Sequence, residues 1–593
     1  MLLSFDDLDV AQNEVRRLLA AGQGQDLEVR LSAKTYARTA PLVLTDLDSG
    51  RNGHTVTWTA EPGGRVERSG LVESSGLVKI SGGVALGGWR PAGDGRWVAT
   101  VPEGVPAPRQ LYVNSLRAPW ARSHWLDHDD CKIGPEGMTG AGSLGVAAYA
   151  RPSDVEMVFR VRWRDYHCRI LEVSGDLIRF AEPCWTNALP GTGRVGPHWD
   201  NTAVGTEIHG WSMFATNALE LLTEPGHFVW NSDDRTVTYL PREGEDMESA
   251  QVVVPTCEQL VILDGAHDLV LKGLTFSHTA WHRSDDGYVG AQAGFTLTGA
   301  SGPLGEAGSH YTKPVAALTV RGGRRVTVSG CEFVHLGGAG AVLEAGTKDT
   351  TVTACAFSDL SSGGVYVGDI DPHPALELAD EHNTVSFNTF RGTGAEFTDS
   401  VAVWGGYTRN LVIDHNTLEH LPYSGISVGW GWNQPEAQDP WLGDNRITGN
   451  RIVDVLRVAE RQYDGGAVYT QGPQRGTIVQ GNHIDRSEYG TTANDGNGIY
   501  LDEQSSHILV ARNVVTRVGY KWVSNWAEYG VENRAAGNWT DNTITPAFSG
   551  AGSVMEDNAE GLTELPPEAV RVAERAGAGP WPAPVEPLGT QEP

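Results

Sequence analysis

The chain has 593 residues, with 45 Lys and Arg against 74 Asp and Glu, so its formal net charge at pH 7 is −29. Because phosphate groups are bound by clustered basic side chains, this balance counts against nucleic acid and anionic membrane surfaces as partners and disfavours a polyanionic substrate. No stretch approaches 18 consecutive apolar residues, so the sequence predicts no membrane-spanning helix.

The N-terminal part, residues 1–87, predicts a cap followed by the first repeats. Residues 1–23 have the apolar spacing of one helix, and short strands are predicted at Leu27–Leu31, Leu42–Leu44 and Thr55–Thr59. Asp6, Asp7 and Asp9 stand where a signal peptide needs a basic start and an apolar run. The sequence therefore predicts a cytoplasmic protein, the alternative being a secreted one whose leader has been removed.

Residues 88–254 lose any regular period and are rich in tryptophan, while Phe228 to Pro241 predict a β-hairpin around a polar turn. This composition predicts an inserted β-rich domain. Such a domain either supplies one wall of a substrate cleft or only buttresses the rest of the chain.

A repeat becomes plain from Leu269, and it defines a solenoid over residues 255–550. Short strands end in a polar turn that often closes on Asn, at spacings of 28 to 34 residues: Asn388, Asn416, Asn450, Asn482, Asn513 and Asn542. Asn tolerates the left-handed conformation of a sharp corner, and stacked Asn side chains can bond along the solenoid, so these residues are interpreted as structural. Residues 551–593 predict a tail against the last coil.

A second strand follows the turn in each repeat, and aligning these strands gives one predicted outward column. Its members are Glu344, Gly368, Trp404, Gly429, Gln471 and Asp502, with Tyr500 on the same face as Asp502. A mixture of carboxylate, amide, aromatic side chain and glycine suits sugar recognition. We therefore expect Glu344, Trp404, Gln471 and Tyr500 to contact substrate, and Trp430 to be either a sugar platform or a residue buried under the insertion.

Two near-copies of one pattern, starting at Asp464 and Asp495, lie 31 residues apart. If the copies stack, Asp464 and Asp502 lie at opposite ends of neighbouring strands on one side of the solenoid. Two carboxylates that face one groove are the minimum equipment for hydrolysing a glycosidic bond. We predict Asp464 and Asp502 to be catalytic and Glu503 to be a third catalytic carboxylate or a substrate ligand; the alternative for Asp464 and Asp495 is ordinary Asp-Gly turn chemistry.

The remaining motifs predict neither a cofactor nor a metal site. The spacing of His415 and His420 is not a metal signature outside a helix. The six cysteines show no CxxC spacing, and Cys331 and Cys355 occupy matching repeat positions. Buried free thiols are therefore favoured over a disulfide.

Three blocks give the chain a resemblance to a known family: the sequences from Arg109 to Ala118, from Pro422 to Trp432, and from Asp464 to Tyr469 with Gly498 to Asp502. Together they resemble right-handed parallel β-helix glycosidases of glycoside hydrolase family 141. The resemblance implies an all-β, right-handed β-helix with a carbohydrate substrate. Two aspartates are the proposed catalytic pair of that family, and their local motifs match Asp464 and Asp502. The resemblance therefore implies a catalytic role for these two residues. The family includes an α-L-fucosidase and a xylanase, so it does not fix the sugar.

Two other functions are compatible with this scaffold. A polysaccharide lyase or epimerase acts on uronates and usually needs a basic residue and a cation, and the outward column contains no Lys or Arg. A non-catalytic glycan-binding β-helix would not need the aspartate pair. The favoured prediction is a hydrolase of neutral plant-type glycans, and the sequence does not predict an oligomeric state.

Overall fold

The structure is a computed structural model that describes residues 1–22, 24–60, 67–68, 71–72, 78–126, 131–188, 211–282, 286–297, 311–430, 440–487, 496–526 and 530–579. It confirms a right-handed parallel β-helix with a short N-terminal helix and a β-rich insertion. Each regular coil contributes one strand to each of three parallel sheets, which we number first, second and third in the order in which the chain visits them.

The three sheets run along the β-helix from its N-terminal end. The first contains Leu2–Phe5, Leu27–Leu31, Val56–Ala60, His267–Lys272, Arg324–Ser329, Thr351–Thr353, Thr384–Ser386, Val412–Asp414, Arg446–Thr448, Ile478–Gln480, Leu509–Ala511, Arg534–Ala536 and Val554–Glu556. The second contains Thr35–Ala37, Lys79–Ser81, Thr275–Thr279, Glu332–Leu336, Ala356–Leu360, Thr389–Thr393, Thr417–Glu419, Arg451–Val455, His483–Ser487, Val514–Thr516 and Trp539–Thr540. The third contains Leu42–Thr45, Val261–Asp264, Ala316–Arg321, Ala339–Glu344, Val365–Val367, Val403–Gly405, Ile426–Val428, Gly466–Thr470, Asn497–Leu501 and Val523–Asn525.

Helices are few in the described part of the chain, and none of them has the length and apolarity needed to cross a membrane. The α-helices are Leu8–Ala20, Cys184–Ala188 and Pro567–Arg575, and 3-10 turns occur at Asp46–Asp48, Val146–Ala148, Pro152–Asp154, Leu219–Leu221 and Val458–Glu460.

The N-terminal prediction of one helix over residues 1–23 is wrong at its start. Leu2–Phe5 is a strand that pairs in parallel with residues 28–31, and the helix begins only at Leu8. Asp7 caps the helix, since its side chain accepts the backbone N–H of Val10 at 2.8 Å. The helix buries five apolar side chains, Leu8, Ala11, Val15, Leu18 and Leu19. It thereby covers the end of the solenoid core, which would otherwise face water.

Equivalent side chains stack on one another inside the β-helix. In the second sheet, Phe276, Phe333, Phe357 and Phe390 form a column with ring centroids 4.6–4.8 Å apart and nearly parallel planes. This separation is close to the spacing of neighbouring strands, so each coil buries its aromatic ring on the ring of the coil before it.

The corner between the first and second sheets carries a ladder of asparagine side chains. Each amide Nδ2 donates to the Oδ1 of the next coil at 2.8–3.0 Å, through Asn388, Asn416, Asn450, Asn482, Asn513, Asn538 and Asn558. The structural interpretation and the predicted bonding along the stack are confirmed, but the Asn residues are not themselves left-handed. The left-handed residue is the one before each Asn, for example His415 with φ 51° or Arg512 with φ 53°.

Two details of this ladder differ from the sequence prediction. The predicted last member, Asn542, is not in it, because the strand of that coil ends at Ala536 and places Asn538 at the corner. The two earlier coils use cysteine at the same position: the backbone N–H of Cys331 donates to Sγ of Cys355 at 3.4 Å. The predicted stacking of these two thiols is therefore confirmed.

The insertion leaves the β-helix at the corner between the second and third sheets. Its first and last strands, Gly83–Ala85 and Val252–Pro255, pair antiparallel, so the antiparallel region is slightly wider than the predicted 88–254. Its other strands are Arg90–Gly93, Arg96–Thr100, Leu111–Val113, Leu116–Ala118, Lys132–Gly134, Gly137–Thr139, Glu156–Val161, Arg164–Ser174, Leu177–Phe180, Trp211–Thr216, Phe228–Asn231 and Thr236–Tyr239, and a separate short pair is Glu67–Arg68 with Leu71–Val72.

The following coil also departs from the solenoid at this corner, which the sequence did not predict. Strands Tyr288–Gln292, Phe295–Leu297 and Tyr311–Thr312 leave the predicted β-helix region, and the first of them pairs antiparallel with the inserted strand Arg164–Ser174. The inserted sheet is therefore built from two separate parts of the chain.

The cysteine prediction is partly wrong. Cys168 and Cys184 form a disulfide within the insertion, joining strand Arg164–Ser174 to the short helix Cys184–Ala188. The other four cysteines, Cys131, Cys257, Cys331 and Cys355, are free and buried as expected. At the other end of the chain, helix Pro567–Arg575 buries Ala569 against Val514 and Trp539, so part of the predicted tail packs on the last coils.

The Asn ladder leads to a stability prediction for Asn450→Ala. Asn450 is fully buried, its Oδ1 accepts the backbone and side-chain N–H groups of Asn416, and its Nδ2 donates to Ile413 O and Asn482 Oδ1. Removing the amide leaves several buried polar groups without partners, so we expect a loss of about 2–4 kcal/mol in the free energy of unfolding. Urea unfolding followed by circular dichroism measures it.

The matched control is Asn13→Ala on the exposed face of the N-terminal helix. It should change the free energy of unfolding by less than about 0.5 kcal/mol. An equal, small effect of both substitutions would contradict a stabilising role for the ladder.

Candidate functional site

A pocket lies where the insertion meets the outer face of the third sheet. Strands Gly466–Thr470 and Asn497–Leu501 run side by side beneath it, with Tyr469 opposite Tyr500. The lining residues come from the β-helix, from the insertion and from the excursion that follows it: Trp163, Gln292, Asp464, Tyr469, Tyr500, Asp502 and Glu503. The two aspartates predicted from the sequence therefore line one pocket, one just before a strand and the other just after its neighbour.

Asp464 lies in a tight turn just before strand Gly466–Thr470. Its φ is 61°, and its carbonyl oxygen accepts the hydroxyl of Tyr423 at 3.0 Å. The two glycines that follow have no room for a side chain: a Cβ at Gly465 would lie 2.9 Å from Ser424 Oγ, and one at Gly466 would lie 2.9 Å from Tyr500 Cβ. The turn thus lets the backbone pass close to Tyr500 while Asp464 lines the pocket. Asp495 lies outside the described residues.

Asp502 follows the neighbouring strand and is bonded to a tyrosine. Its backbone N–H donates to Thr470 O at 3.0 Å, and its Oδ2 accepts the hydroxyl of Tyr469 at 2.5 Å. Burial raises the pKa of the Asp502 carboxyl, and the hydrogen bonds from Tyr469, Tyr500 and the backbone of Glu503 offset part of that rise. Asp502 therefore keeps its proton to higher pH than an exposed aspartate does.

Tyrosines surround the two carboxylates. Tyr469 and Tyr500 meet edge to face, with ring centroids 5.5 Å apart. Burial, followed by the negative charges of Asp502 and Asp464, raises the pKa of Tyr500 well above its ordinary value; burial and Asp502 do the same to Tyr469. Both hydroxyls therefore remain hydrogen-bond donors toward the carboxylates across the physiological pH range.

Trp163 of the insertion and Gln292 of the second excursion supply the opposite wall, and both side chains are buried. Trp163 lies at the turn between strands Glu156–Val161 and Arg164–Ser174, and the backbone N–H of Tyr463 donates to Arg162 O at 2.9 Å. This bond ties the residue before Asp464 directly to that turn. The enclosed volume is 10 Å³, about the space of one water molecule, so the carboxylates face a narrow crevice.

A buried cluster of charged and titratable groups lies where the inserted sheet packs on the β-helix. Asp165 accepts the backbone N–H of Thr398 at 2.9 Å and pairs with His167 at 3.1 Å and with Arg160. Although burial alone would lower it, Asp165 and Glu156 raise the pKa of His167 to about 9. Burial and the charge of Asp165 raise the pKa of Asp399 well above its ordinary value, and Asp399 accepts the hydroxyl of Tyr288 at 2.5 Å.

Further arginines fasten the insertion to the β-helix. Arg109 forms two bonds to Glu156 at 2.8 and 2.9 Å and contacts Glu396 at 2.7 Å. Arg117 binds Asp359 at 2.5 Å. Since Glu396 and Asp359 belong to the β-helix, these ion pairs hold the pocket's two walls together.

Four of the predicted site residues line this pocket, and four do not. The first group is Asp464, Asp502, Glu503 and Tyr500. Glu344 lies five strands away from Asp502 along the third sheet, about 24 Å by strand spacing. Its carboxylate is held by Lys313 at 2.7 Å and by Arg321 at 2.9 Å, so it is engaged in structural ion pairs.

The two predicted tryptophan contacts are buried under the second excursion. Trp404 is fully buried, with its ring centroid 4.7 Å from that of Phe295, and Trp430 lies 4.6 Å from the same ring. The predicted column was wrong at Trp404 because its strand begins at Val403, which places Trp404 beside Tyr366 and Ser427, two residues earlier than aligned. Trp432 lies outside the described residues.

Gln471 is also buried, with 1% of its surface exposed, and is absent from the pocket lining. Its amide nitrogen and oxygen have no hydrogen-bond partner among the described residues. Three lining residues were missed: Trp163, Gln292 and Tyr469. The alternation that placed Tyr500 outward applies equally to Tyr469, whereas Trp163 and Gln292 come from segments without a repeat.

The lining contains three carboxylates and no Lys or Arg among the described residues. In the same part of the chain, no group of three or more His, Cys, Asp or Glu side chains could hold a metal ion. The chemistry available from these side chains is proton transfer and nucleophilic attack by carboxylates, supported by tyrosine donors.

No protein-family model and no curated protein matches the chain. Among solved structures, a protein described as "Glycoside hydrolase" is similar over 97% of this chain and 98% of its own, with 26% identity and a TM-score of 0.77. The XylC complex with xylose covers 91% of this chain and 82% of its own, with 9% identity and a TM-score of 0.33. The first likeness extends over the insertion as well as the solenoid.

The buried cluster predicts opposite results for two similar substitutions. Burial and the neighbouring charge of Asp165 favour the protonated form of Asp399, which Asn resembles, so Asp399→Asn should change the free energy of unfolding by less than about 1 kcal/mol. Asp165→Asn removes the partner of Arg160 and His167 and should cost about 3–5 kcal/mol. Urea unfolding at pH 7 compares the two. A large, equal loss in both would show that Asp399 is ionised.

Proposed function

We propose that this protein is a glycoside hydrolase in which Asp464 and Asp502 act as a carboxylate pair on a neutral glycan. The observation that carries the proposal is that both aspartates, from adjacent coils, line one pocket with two tyrosine donors. The nearly complete likeness to a protein described as a glycoside hydrolase supports it, as does the resemblance of the motifs to glycoside hydrolase family 141.

The environments of the two aspartates suggest their roles. A general acid must hold its proton near neutral pH, and burial shifts the pKa of Asp502 in that direction. Asp502 therefore protonates the departing glycosidic oxygen. Asp464, across the pocket, activates water or attacks the anomeric carbon. Glu503 adds a third carboxylate to the same wall.

The charge of the pocket supports a neutral sugar. Lyases and epimerases must neutralise the carboxylate of a uronate, and the described lining offers no cationic side chain for that purpose. The formal net charge of −29 also repels a polyanionic polymer, which again favours a neutral substrate. We propose an α-L-fucoside or a β-xyloside as the substrate class, in line with the resemblance.

Hydrolysis of aryl glycosides, including aryl α-L-fucoside and aryl β-xyloside, tests the catalytic pair. We expect Asp464→Asn and Asp502→Asn each to lower kcat/KM by about 10²–10⁴-fold, since each removes a proton-transfer or nucleophilic group. NMR of the first-released anomer distinguishes inversion from retention.

The matched control for this pair is Asp444→Asn, at an exposed, left-handed position that Asn tolerates, and it should keep wild-type turnover. Near-wild-type turnover by either pocket variant, with its unfolding midpoint unchanged, would remove that residue from the mechanism. Release of an unsaturated product from a polyuronate, without hydrolysis of neutral glycosides, would favour the lyase alternative.

The bond from Tyr469 predicts a change in the pH–rate profile. Its hydroxyl lowers the pKa of Asp502, so Tyr469→Phe should raise that pKa further and move the alkaline limb of kcat/KM upward by about one pH unit. Tyr366→Phe is the control, because Tyr366 lies on the same face of the third sheet but donates to Ala293 O. A Tyr469→Phe profile that coincides with the Tyr366→Phe profile would contradict the role of Asp502 as the acid.

A further inference from the structure

A second cavity opens in the insertion near its junction with the β-helix, and it shares no lining residue with the carboxylate pocket. Three tryptophans, Trp120, Trp230 and Trp281, lie in its wall, and we call it the tryptophan cleft. Its volume of 560 Å³ lies within the range of small-ligand sites, whereas the carboxylate pocket encloses only 10 Å³. A sugar-sized space thus exists away from the predicted catalytic pair.

Hydrogen bonds and cation–π contacts within the protein hold the tryptophans of the cleft in place. The guanidinium of Arg109 lies 4.9 Å from the rings of both Trp120 and Trp281, and it is fixed there by Glu156 and Glu396. The backbone N–H of Trp230 donates to Asn217 Oδ1 at 2.7 Å. A ligand would therefore meet rings that are already ordered, which reduces the entropy lost on binding.

The indole N–H of Trp120 is buried and has no acceptor among the described residues. A buried donor without a partner costs about 1–3 kcal/mol. A ligand with apolar faces for the rings and hydroxyl groups for the polar side chains of the lining, such as Ser153 and Ser232, would fit this wall. Few ligand classes offer both properties, and saccharides do.

The charges around the cleft argue for a neutral ligand. Arg109 is already neutralised by two carboxylates, and the guanidinium of Arg169 donates to Ser153 O at 3.2 Å. The carboxylate of Asp154 accepts from Arg151 at 2.7 Å and from Ser232 Oγ at 2.6 Å. The described lining contains one carboxylate, Asp154, so it has no pair that could perform acid–base hydrolysis.

We propose that the tryptophan cleft is a non-catalytic binding site for a neutral oligosaccharide, which holds a glycan chain on the insertion while another part of the substrate reaches the carboxylate pocket. The identification of the bound saccharide with the substrate rests on the proposed function, whereas the cavity and its aromatic wall are independent of it. The site makes no contribution to the hydrolysis of a small aryl glycoside, because such a substrate has no further sugar units for the cleft to hold.

Isothermal titration calorimetry of the full chain carrying Asp464→Asn, with xylohexaose and a fucosylated xyloglucan oligosaccharide as probes, tests the proposal. We expect one probe to bind, and Trp120→Ala in the same background to weaken its binding at least tenfold. Trp120→Phe keeps the ring against Phe228 but lacks the N–H, and it should give a smaller loss. The control is Trp97→Ala, a half-buried tryptophan of the same insertion outside the cleft, which should leave binding unchanged.

Unfolding midpoints show whether the variants are folded. If Trp120→Ala does not fold, the affinity of Trp120→Phe for the probe tests the proposal. Binding that is unaffected by both Trp120 substitutions, or absent for both probes, overturns the proposal. If wild-type protein hydrolyses no aryl glycoside but binding still depends on Trp120, the proposed function fails and the binding site stands. With an active enzyme, Trp120→Ala should leave turnover of the aryl glycoside unchanged and reduce kcat/KM for the bound oligosaccharide.

Discussion

The parallel register between neighbouring coils is the constraint on which the candidate site depends. Gly466–Thr470 and Asn497–Leu501 pair with Tyr469 opposite Tyr500, and this pairing sets Asp502 beside the turn that carries Asp464. Because side chains alternate across a strand, a slip of one residue would turn the tyrosines into the core. The Asn ladder opposes such a slip, since each amide must meet the carbonyl of its own neighbour.

The insertion completes the site and sets its electrostatics. Trp163 and Gln292 line the crevice together with Asp502, and burial in this crevice raises the pKa of the Asp502 carboxyl. The same packing buries Asp165, His167 and Asp399: Asp165 and His167 pair with each other, and burial together with the charge of Asp165 raises the pKa of Asp399. The two walls are thus joined by ion pairs whose partners come from distant parts of the sequence.

The repeat made much of this structure predictable. The solenoid, the Asn corner and the placement of Asp464 and Asp502 in one pocket all follow from the sequence repeat, because stacked coils carry equivalent residues at equivalent positions. Trp404 was misplaced because the coil that contains it has a longer corner, which moved its strand by two residues. Asn538 was not predicted for a related reason, since it follows Asn513 by 25 residues, fewer than the 28 to 34 that separate the predicted Asn positions.

The insertion could not be predicted in the same way. Its strands pair antiparallel and non-locally, and no periodic signal connects residue 163 or 292 with residue 464. The disulfide between Cys168 and Cys184 depends on a loop closure that spacing alone does not reveal. Similarly, burial of Trp404 and Trp430 depends on Phe295, which lies in an excursion without a counterpart in other coils.

The corners of the β-helix differ in how much variation in length they tolerate. Between the first and second sheets, two residues suffice in coil after coil, the first left-handed and the second in the ladder. Between the second and third sheets, the chain accommodates both large excursions and the turn that carries Asp464. The corner between the first and second sheets thus stabilises the stack of coils, while the corner between the second and third sheets can lengthen or shorten without disturbing that stack. A scaffold divided in this way lets new substrate preferences arise by exchanging loops along a single edge, while the hydrogen-bonded spine stays the same.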